Sequence, residues 1–439
     1  MLPDGGHAAS PARRRPGWGR WLLAAAVLLH VSVVSSALWR PQGLVLRPLF
    51  HDGVHRVGPG ADFYALVHAA VHVRSGISPY DNTPDPRTPY FFPFRYLPAI
   101  AYLAVPLTWL PPHLAYLAWI LTLEALLATA LLVLRRRSRD ERSWLIAAAA
   151  LLLSTPYFLE LHMGQFTFAA VALTLVSLYA VAGTALYALA VVLKIFPIAA
   201  APALLLERRT RWFVPLALAA AALLSLPYFA GHPGDARAFL NTNFRPAHGY
   251  GAGNFSLAYL GLLAARSVGA EALTAHWGAW TSLSRALILG AVVLLIALAR
   301  RRDVLVGVVT LLLAHFVTYQ QVWEHHMSAV ILAGGFLLQS DSLRGAARGM
   351  AIAGLILICL PTPYAIFDRA ADPSVWDPAV HWPASTSMWI ILPKAVGLLL
   401  LFAASIGSLR SAGQIAPRSL LSGSTWRRAF RPGAGGLGT

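Results

Sequence analysis

Residues 185–206 read ALYALAVVLKIFPIAAAPALLL, an apolar stretch broken by Lys194 and by a proline shortly after it. A transmembrane helix needs about 20 apolar residues, so neither half, 185–194 or 197–206, can cross a bilayer alone. A single straight span through both halves would place the basic loop 207–211 outside the membrane, although basic loops prefer the cytoplasm. We therefore predict a hairpin of two half-length helices that turns near Lys194.

The rest of the chain is also rich in apolar residues. Hydrophobic residues make up 57% of the 439 residues and charged residues only 12%, about half the charged share of a soluble protein. The composition excludes a soluble enzyme and predicts an all-α, polytopic transmembrane bundle of about 12 spans. Residues 21–39 form the first span, an uncleaved signal anchor, since a cleaved signal peptide has a shorter apolar core. With the hairpin, the other spans are 113–134, 144–156, 166–181, 213–229, 286–298, 304–319, 327–338, 350–366 and 389–409.

The distribution of charge agrees with this topology. The predicted inner segments hold 22 of the 35 basic residues and six of the 18 acidic ones. The net charge of +17 is therefore almost entirely cytoplasmic, as the positive-inside rule expects. We predict a cytoplasmic N-terminus (1–20), a transmembrane module (21–410) and a disordered cytoplasmic tail (411–439). The basic charge indicates contact with membrane lipids rather than nucleic acid.

Three outer segments are longer than simple connectors and cover residues 40–112, 231–285 and 367–388. The first contains a predicted short helix at 61–75 and an apolar, proline-flanked juxtamembrane or re-entrant helix at 96–110. The second contains a predicted helix at 256–267. Because the polar side chains outside the basic loops collect on this side, we expect the functional site there.

Asp62 lies at the start of the 61–75 helix. A carboxylate there can simply cap the helix or complement its dipole. The same position suits a general base, because it holds a carboxylate at the membrane surface within reach of an acceptor hydroxyl and a lipid-borne leaving group. Asp81, which follows the same helix, fits a turn. The sequence leaves both roles of Asp62 open.

Basic side chains occur at three further points of this outer face. Lys194, between two half-helices, cannot extend far toward water and needs an anion, a carbonyl or a water-filled cavity. Arg95 can pair with a phosphate or with an interfacial lipid headgroup. His325 and His326 are adjacent at the outer end of a span, and one of them can face the cavity and donate to a phosphate oxygen.

A polar cluster lies between two predicted spans and consists of Glu160, His162 and Gln165. Such residues are also ordinary at a membrane interface. Asn254 belongs to a sequence that matches an N-glycosylation site and equally marks the start of the 256–267 helix.

His68 and His72 have the i, i+4 spacing of a metal-binding pair, but no third ligand follows at a recognisable spacing. We therefore predict no metal site. The sequence also contains no phosphate-binding glycine loop, nucleophile elbow or HExxH motif. The residues alone thus indicate a membrane enzyme or a transporter with an outward-facing polar cavity.

The order of these elements resembles glycosyltransferase family 87, within the GT-C superfamily of membrane transferases that use polyprenyl-phosphate sugars. The resemblance covers residues 61–338. Its motifs are Asp62-Phe63-Tyr64, Gly76-Ile77-Ser78-Pro79-Tyr80-Asp81, Phe94-Arg95-Tyr96-Leu97-Pro98, Gly164-Gln165, Leu193-Lys194-Ile195-Phe196-Pro197, Gly253-Asn254-Phe255-Ser256-Leu257 and His325-His326.

The resemblance implies an inverting transfer of a hexose, commonly mannose, from a polyprenyl-phosphate donor to a lipid or glycan hydroxyl, without metal or cofactor. Asp62 would act as the base on the acceptor hydroxyl. The departing phosphate would be held by Lys194, by His325 or His326, and by Arg95. The residues expected at the sugar or acceptor are Tyr64, Asp81, Glu160, His162, Gln165 and Asn254.

The expected protein is a multi-pass monomer of the plasma (inner) membrane, with both termini cytoplasmic and the active site outside. Its partners would be the lipid-linked donor, the acceptor and membrane lipids. A transporter or lipid flippase is the rival class, in which Asp62 and Lys194 would bind or couple substrate. A non-catalytic relative, for which Asp62 is dispensable, is the third. A long first outer loop and the lack of an internal repeat favour the enzyme.

Overall fold

A computed structural model describes residues 18–39, 50, 58–89, 93–138, 140–244, 253–299, 303–364 and 382–414. Within these ranges the regular structure is helical, and the extended pairing is an isolated antiparallel bridge between Asn254 and Trp323. The predicted cytoplasmic N-terminus as far as residue 17, most of the outer segment 367–388 and the tail from residue 415 lie outside the described residues.

In chain order the helices are α1 (Trp18–Trp39), α2 (Ala61–Arg74), α3 (Pro98–Leu103), α4 (Pro112–Arg137), α5 (Glu141–Leu153), α6 (Thr155–Met163), α7 (Thr167–Ser177), α8 (Gly183–Leu193), α9 (Ala201–Leu206), α10 (Phe213–Gly231), α11 (Pro233–Phe244), α12 (Leu257–Ser267), α13 (Glu271–Ala275), α14 (Trp277–Leu298), α15 (Val304–Thr318), α16 (His326–Leu337), α17 (Gly345–Cys359) and α18 (Ala384–Gln414). Two 3₁₀ helices, Val105–Trp109 and Phe196–Ala200, follow α3 and precede α9.

Five of these helices are long and apolar enough to cross a membrane, namely α1, α4, α10, α14 and α18. A sixth candidate is the pair α5 and α6, which bends by 45° at Ser154. In α1, α4, α10 and α14 fewer than three in ten residues of the apolar stretch are buried in the protein, and in α18 half are, as expected where lipid rather than water surrounds an apolar helix. The chain therefore has the helices of an integral membrane protein. The remaining apolar helices, at 10–17 residues, are shorter than a single span.

Helix α8 ends at Lys194, which has an extended backbone. The hydroxyl of Tyr187 on α8 donates a 3.0 Å hydrogen bond to the carbonyl oxygen of Pro197. In one continuous helix, residues ten positions apart would lie about 15 Å apart along the axis, beyond the reach of a tyrosine. The predicted break into two short helices at Lys194 is therefore present.

Helix ends that adjoin the basic loops meet at one end of the bundle. Arg20 of α1 lies 3.4 Å from Glu141 of α5, and Arg348 of α17 binds Asp140 just before α5. The ends of α9, α15 and α18 share a cleft whose lining includes Glu207, Asp303 and Leu409. Arg137 at the end of α4 lies 4.3 Å from the ring centre of Tyr179, shortly before α8. Helix α8 therefore begins near this basic end, and Lys194 lies at its far end.

Candidate active site

Two glycines bring the start of α2 against the end of α6. The backbone N–H of Gly60 donates a 2.6 Å hydrogen bond to the carbonyl oxygen of His162. Gly164, with a φ of 65°, ends α6 so close to α2 that a Cβ atom there would lie 2.6 Å from the Cβ of Phe63. Only glycine combines this left-handed backbone with so close an approach. The contact places Asp62 beside the turn that follows α6.

Asp62 is a buried carboxylate in a site of mixed charge. Gly60 caps α2 without a side-chain hydrogen bond, so the structure shows no cap made by Asp62. Burial raises the pKa of Asp62 to about 6, against the opposing effects of Lys194, of a hydrogen bond from Gln165 and of Arg95. A carboxylate with a pKa near 6 is ionised at neutral pH and accepts a proton more readily than an ordinary aspartate.

Glu160 is a second buried carboxylate in the same cluster. Its Oε1 atom accepts a 2.7 Å hydrogen bond from the backbone N–H of Phe168 at the start of α7. Its Oε2 atom accepts one of 3.2 Å from the hydroxyl of Ser328 on α16. Glu160 thus joins α6, α7 and α16 around the site, and it interacts electrostatically with both Asp62 and Lys194.

Lys194 reaches into this cluster from the turn between α8 and the following 3₁₀ helix. Its Nζ atom donates a 2.7 Å hydrogen bond to the hydroxyl of Thr167 and lies 5.9 Å from the ring centre of Tyr96. The carboxylates of Asp62 and Glu160 are its electrostatic partners. The arrangement meets the need of an intramembrane ammonium for anions and polar neighbours.

Arg95 and Tyr96 contribute from the first outer segment. The hydroxyl of Tyr80 donates a 2.8 Å hydrogen bond to the carbonyl oxygen of Tyr96, and the ring of Tyr96 packs edge-on against Phe166 at 5.1 Å. Arg95 is exposed, yet it acts electrostatically on Asp62. The segment thus places one cation at the rim of the cluster.

The two adjacent histidines have different surroundings. His326 accepts a 3.1 Å hydrogen bond at Nδ1 from the backbone N–H of Trp323. The buried Nε2 atom of His325 has no hydrogen-bond partner among the residues that the structure describes, and the ring interacts electrostatically with Lys194. His325 is therefore the histidine with a ring nitrogen free to bind a substrate atom.

The family model of glycosyltransferase family 87 matches residues 94–321. This match covers slightly more than half of the 439 residues and includes Glu160, Gln165 and Lys194. The chain belongs to glycosyltransferase family 87. It is therefore a membrane glycosyltransferase. No curated protein matches the chain.

Four of the residues predicted for the sugar or acceptor, in this family 87 protein, make their described contacts with residues other than Asp62, Glu160 and Lys194. The hydroxyl of Tyr64 donates to the carbonyl oxygen of Pro112 at 3.2 Å, within an aromatic cluster. Asp81 accepts a 2.7 Å hydrogen bond from the backbone N–H of Thr83, in a turn. Asn254 joins the segment before α12 to the segment before α16, through a 3.2 Å hydrogen bond to Gln320.

His162 contributes its backbone carbonyl to the contact with α2, while its ring lies 5.2 Å from that of Phe50. None of these four is joined to Asp62 or Lys194 by a described contact, and their roles in binding remain predictions. Gln165, in contrast, lies directly in the cluster.

The rings of His68 and His72 lie 4.1 Å apart. His68 also contacts the carbonyl oxygen of Thr83 at 2.9 Å through Nε2. Across the described ranges, no group of three or more histidine, cysteine, aspartate or glutamate side chains is placed to hold a metal ion.

A buried ion pair underlies the histidines and was not expected from the sequence. Lys394 of α18 lies 3.3 Å from Glu324, and both side chains are about 2% exposed or less. Lys394 also donates to the carbonyl oxygens of Ile358 and Leu360 at the end of α17. Glu324 accepts a 2.7 Å hydrogen bond from Thr362. The pair fixes the turn that carries His325 against α17 and α18.

A second missed group lies between α14 and α15. Arg285 lies 3.3 Å from His315 through Nη2 and Nδ1, and its guanidinium is 5.7 Å from the ring centre of Tyr319. An arginine inside an apolar helix is the one signal that could have identified this group, because charged residues in such helices are rare and functional by default.

Proposed function

We propose that this family 87 glycosyltransferase moves a hexose, with mannose as the first candidate, from a polyprenyl-phosphate donor to a hydroxyl of a lipid or glycan acceptor. The observation that carries this proposal is the buried carboxylate of Asp62, with a pKa of about 6, in one cluster with the cations Lys194 and Arg95. Transfer of a sugar from a phosphate needs one base to take the acceptor proton and positive charge to stabilise the departing phosphate.

The proposed step is a direct displacement with inversion. The acceptor oxygen attacks C1 of the sugar from the face opposite the phosphate and forms the new glycosidic bond. The C1–O bond to the phosphate breaks, and its electron pair leaves with the phosphate oxygen. The acceptor proton passes to Asp62. The donor phosphodiester carries one negative charge and the released lipid phosphate up to two, so the transition state develops charge where cations stabilise it.

The other residues of the cluster have supporting roles in this proposal. Lys194 and Arg95 stabilise the departing phosphate, and His325 donates to one of its oxygens through its unpaired ring nitrogen. Gln165 orients Asp62 and, with Glu160, binds hydroxyls of the sugar. No metal ion takes part, because a phosphate is already a good leaving group and the cations are supplied by the protein.

We further propose a GT-C type bundle with about 12 membrane crossings, in which the shorter helices cross in pairs or only in part. The helices around the cluster, α7, α8, α15 and α16, contain 11 to 15 residues and are about 16 to 22 Å long. Each is shorter than a hydrocarbon core of about 30 Å, so the cluster lies in a recess that opens to the outer side. Both termini then lie in the cytoplasm.

The test is sugar transfer by Asp62→Asn in membranes supplied with radiolabelled polyprenyl-phosphate mannose and lipid acceptors. We expect a loss of about 100- to 10,000-fold, the usual contribution of a general base. Glu271→Gln is the matched control, since it makes the same change from carboxylate to amide at an exposed residue of the outer segment 231–285. Turnover by Asp62→Asn equal to that of Glu271→Gln would exclude the catalytic role.

A further inference from the structure

The charge of Lys194 is balanced from within the protein. Its ammonium has two carboxylates as electrostatic partners, Asp62 and Glu160, and its hydrogen bond is to Thr167. Counted with both carboxylates ionised, Lys194, Asp62 and Glu160 carry one net negative charge, and Arg95 at the rim brings the sum only to zero. An anionic substrate therefore needs a further cation at the cluster.

Arg285 is such a cation, on the inner face of α14. Thr281, one turn earlier on the same face of the helix, accepts a hydrogen bond from the side chain of Gln320 beyond the end of α15. Arg285 points the same way and lies 3.3 Å from His315 of α15. A guanidinium only donates hydrogen bonds, so Nδ1 of His315 is the acceptor, and its Nε2 atom carries the proton.

No carboxylate of the described part of the chain lies within ion-pairing distance of Arg285. Its contacts are the imidazole of His315 and the ring of Tyr319. The helix that carries it is apolar, and only 11% of the residues in its most apolar stretch are buried inside the protein. A charge in such a place costs free energy unless an anion or water accompanies it.

Arg285 borders the same cluster as Lys194. His315 interacts electrostatically with both Arg285 and Lys194, and Tyr319 does so with both Arg285 and Arg95. The ring of Phe196, which follows Lys194 closely in sequence, stacks on His315 at 5.1 Å. The guanidinium of Arg285, which has no carboxylate partner among the described residues, thus lies on the α14–α15 side of the cluster. The two carboxylates lie on the α2–α6 side.

We propose that Arg285 joins Lys194 and Arg95 in binding the phosphate of the lipid-linked donor, with the Nε2–H of His315 beside it, because Asp62 and Glu160 already offset the charge of Lys194. The inference rests on the proposed function and adds a residue to it. The departing phosphate gains one negative charge. At the same time the carboxylate of Asp62 takes the acceptor proton and so loses its negative charge. The summed charge of the cluster and its ligands therefore stays constant through the reaction.

The experiment measures binding of farnesyl phosphate and of farnesol to the purified full-length protein in lipid nanodiscs. The wild type should prefer the phosphate. Arg285→Gln should weaken phosphate binding about 10- to 100-fold, as expected for the loss of a charge-assisted hydrogen bond, and should leave farnesol binding unchanged. Arg266→Gln, at an exposed arginine of α12, is the matched control and should keep the preference.

The outcomes separate the two proposals. A wild type that binds both ligands equally contradicts the lipid-phosphate donor and thus the proposed function. A wild type that prefers the phosphate, together with an unchanged preference in Arg285→Gln, contradicts the role of Arg285 alone. If Arg285→Gln does not bind farnesol, Arg285→Met replaces it, and the ratio of phosphate to farnesol affinity in that variant decides.

Discussion

Gly164 offers a direct test of how the site is assembled. Its φ of 65° is a conformation that costs an alanine about 1 to 2 kcal/mol, and its Cβ would lie 2.6 Å from the Cβ of Phe63. Relief of that contact requires α2 and α6 to separate, at a further cost of about 1 to 3 kcal/mol. Gly164→Ala should therefore destabilise the protein by about 2 to 5 kcal/mol.

Gly269→Ala is the matched control, because Gly269 has a φ of 68° but no heavy atom lies within 4 Å of the point that a Cβ atom would occupy. This variant should incur the backbone cost alone. The assay is thermal unfolding of both purified variants, followed by sugar transfer at a temperature where both are folded. Since Phe63 adjoins Asp62, displacement of α2 by about 1 Å should lower turnover by about 100-fold in Gly164→Ala.

Equal unfolding temperatures for the two alanine variants would show that the close contact does not constrain the fold. A normal turnover in a destabilised Gly164→Ala would show that the α2–α6 contact does not position the base. Either result refutes the assembly described above.

Three further predictions concern the base, the buried ion pair and the topology. Because the pKa of Asp62 is about 6 and only the ionised form accepts a proton, kcat/KM should fall about tenfold per pH unit below pH 6 and level off above it; a rate independent of pH between 5 and 7 contradicts the assignment. Lys394→Met should cost about 3 to 5 kcal/mol by leaving Glu324 uncompensated, and the double variant with Glu324→Gln should recover much of this loss in a double-mutant cycle of unfolding. Cysteines placed at the exposed Ser75 and Ala346, without the native cysteine, should react with an impermeant maleimide from opposite sides of the membrane; labelling from one side only would overturn the predicted topology.

Most helices could be predicted from the sequence because hydrophobic length is a local property. The span predicted at 213–229 is the helix Phe213–Gly231, and the short helix predicted at 61–75 is Ala61–Arg74. The helix predicted at 96–110 is instead a short α-helix followed by a 3₁₀ helix, Pro98–Leu103 and Val105–Trp109. Pro106 lies at the start of the 3₁₀ helix, and it lacks the N–H that a continuous α-helix requires.

The candidate site could be predicted only in part. Asp62 and Lys194 were identifiable because a charge beside apolar sequence has few structural explanations. Arg285 was missed because the sequence does not show which face of α14 is covered. Glu124 of α4 lies 3.1 Å from His30 of α1, a residue 94 positions away, and no local pattern in the sequence pairs these two residues.

By itself, the sequence determined that the chain lies in a membrane and that an apolar stretch divides into two short helices at Lys194, and it predicts that the basic loops share one side. Each of these follows from composition and spacing along a short stretch. Only the tertiary structure decided that Glu160 binds Ser328, 168 residues away, and that His325 rather than His326 keeps a free ring nitrogen. Such pairings depend on how whole helices pack against one another, and no local pattern of residues encodes that packing.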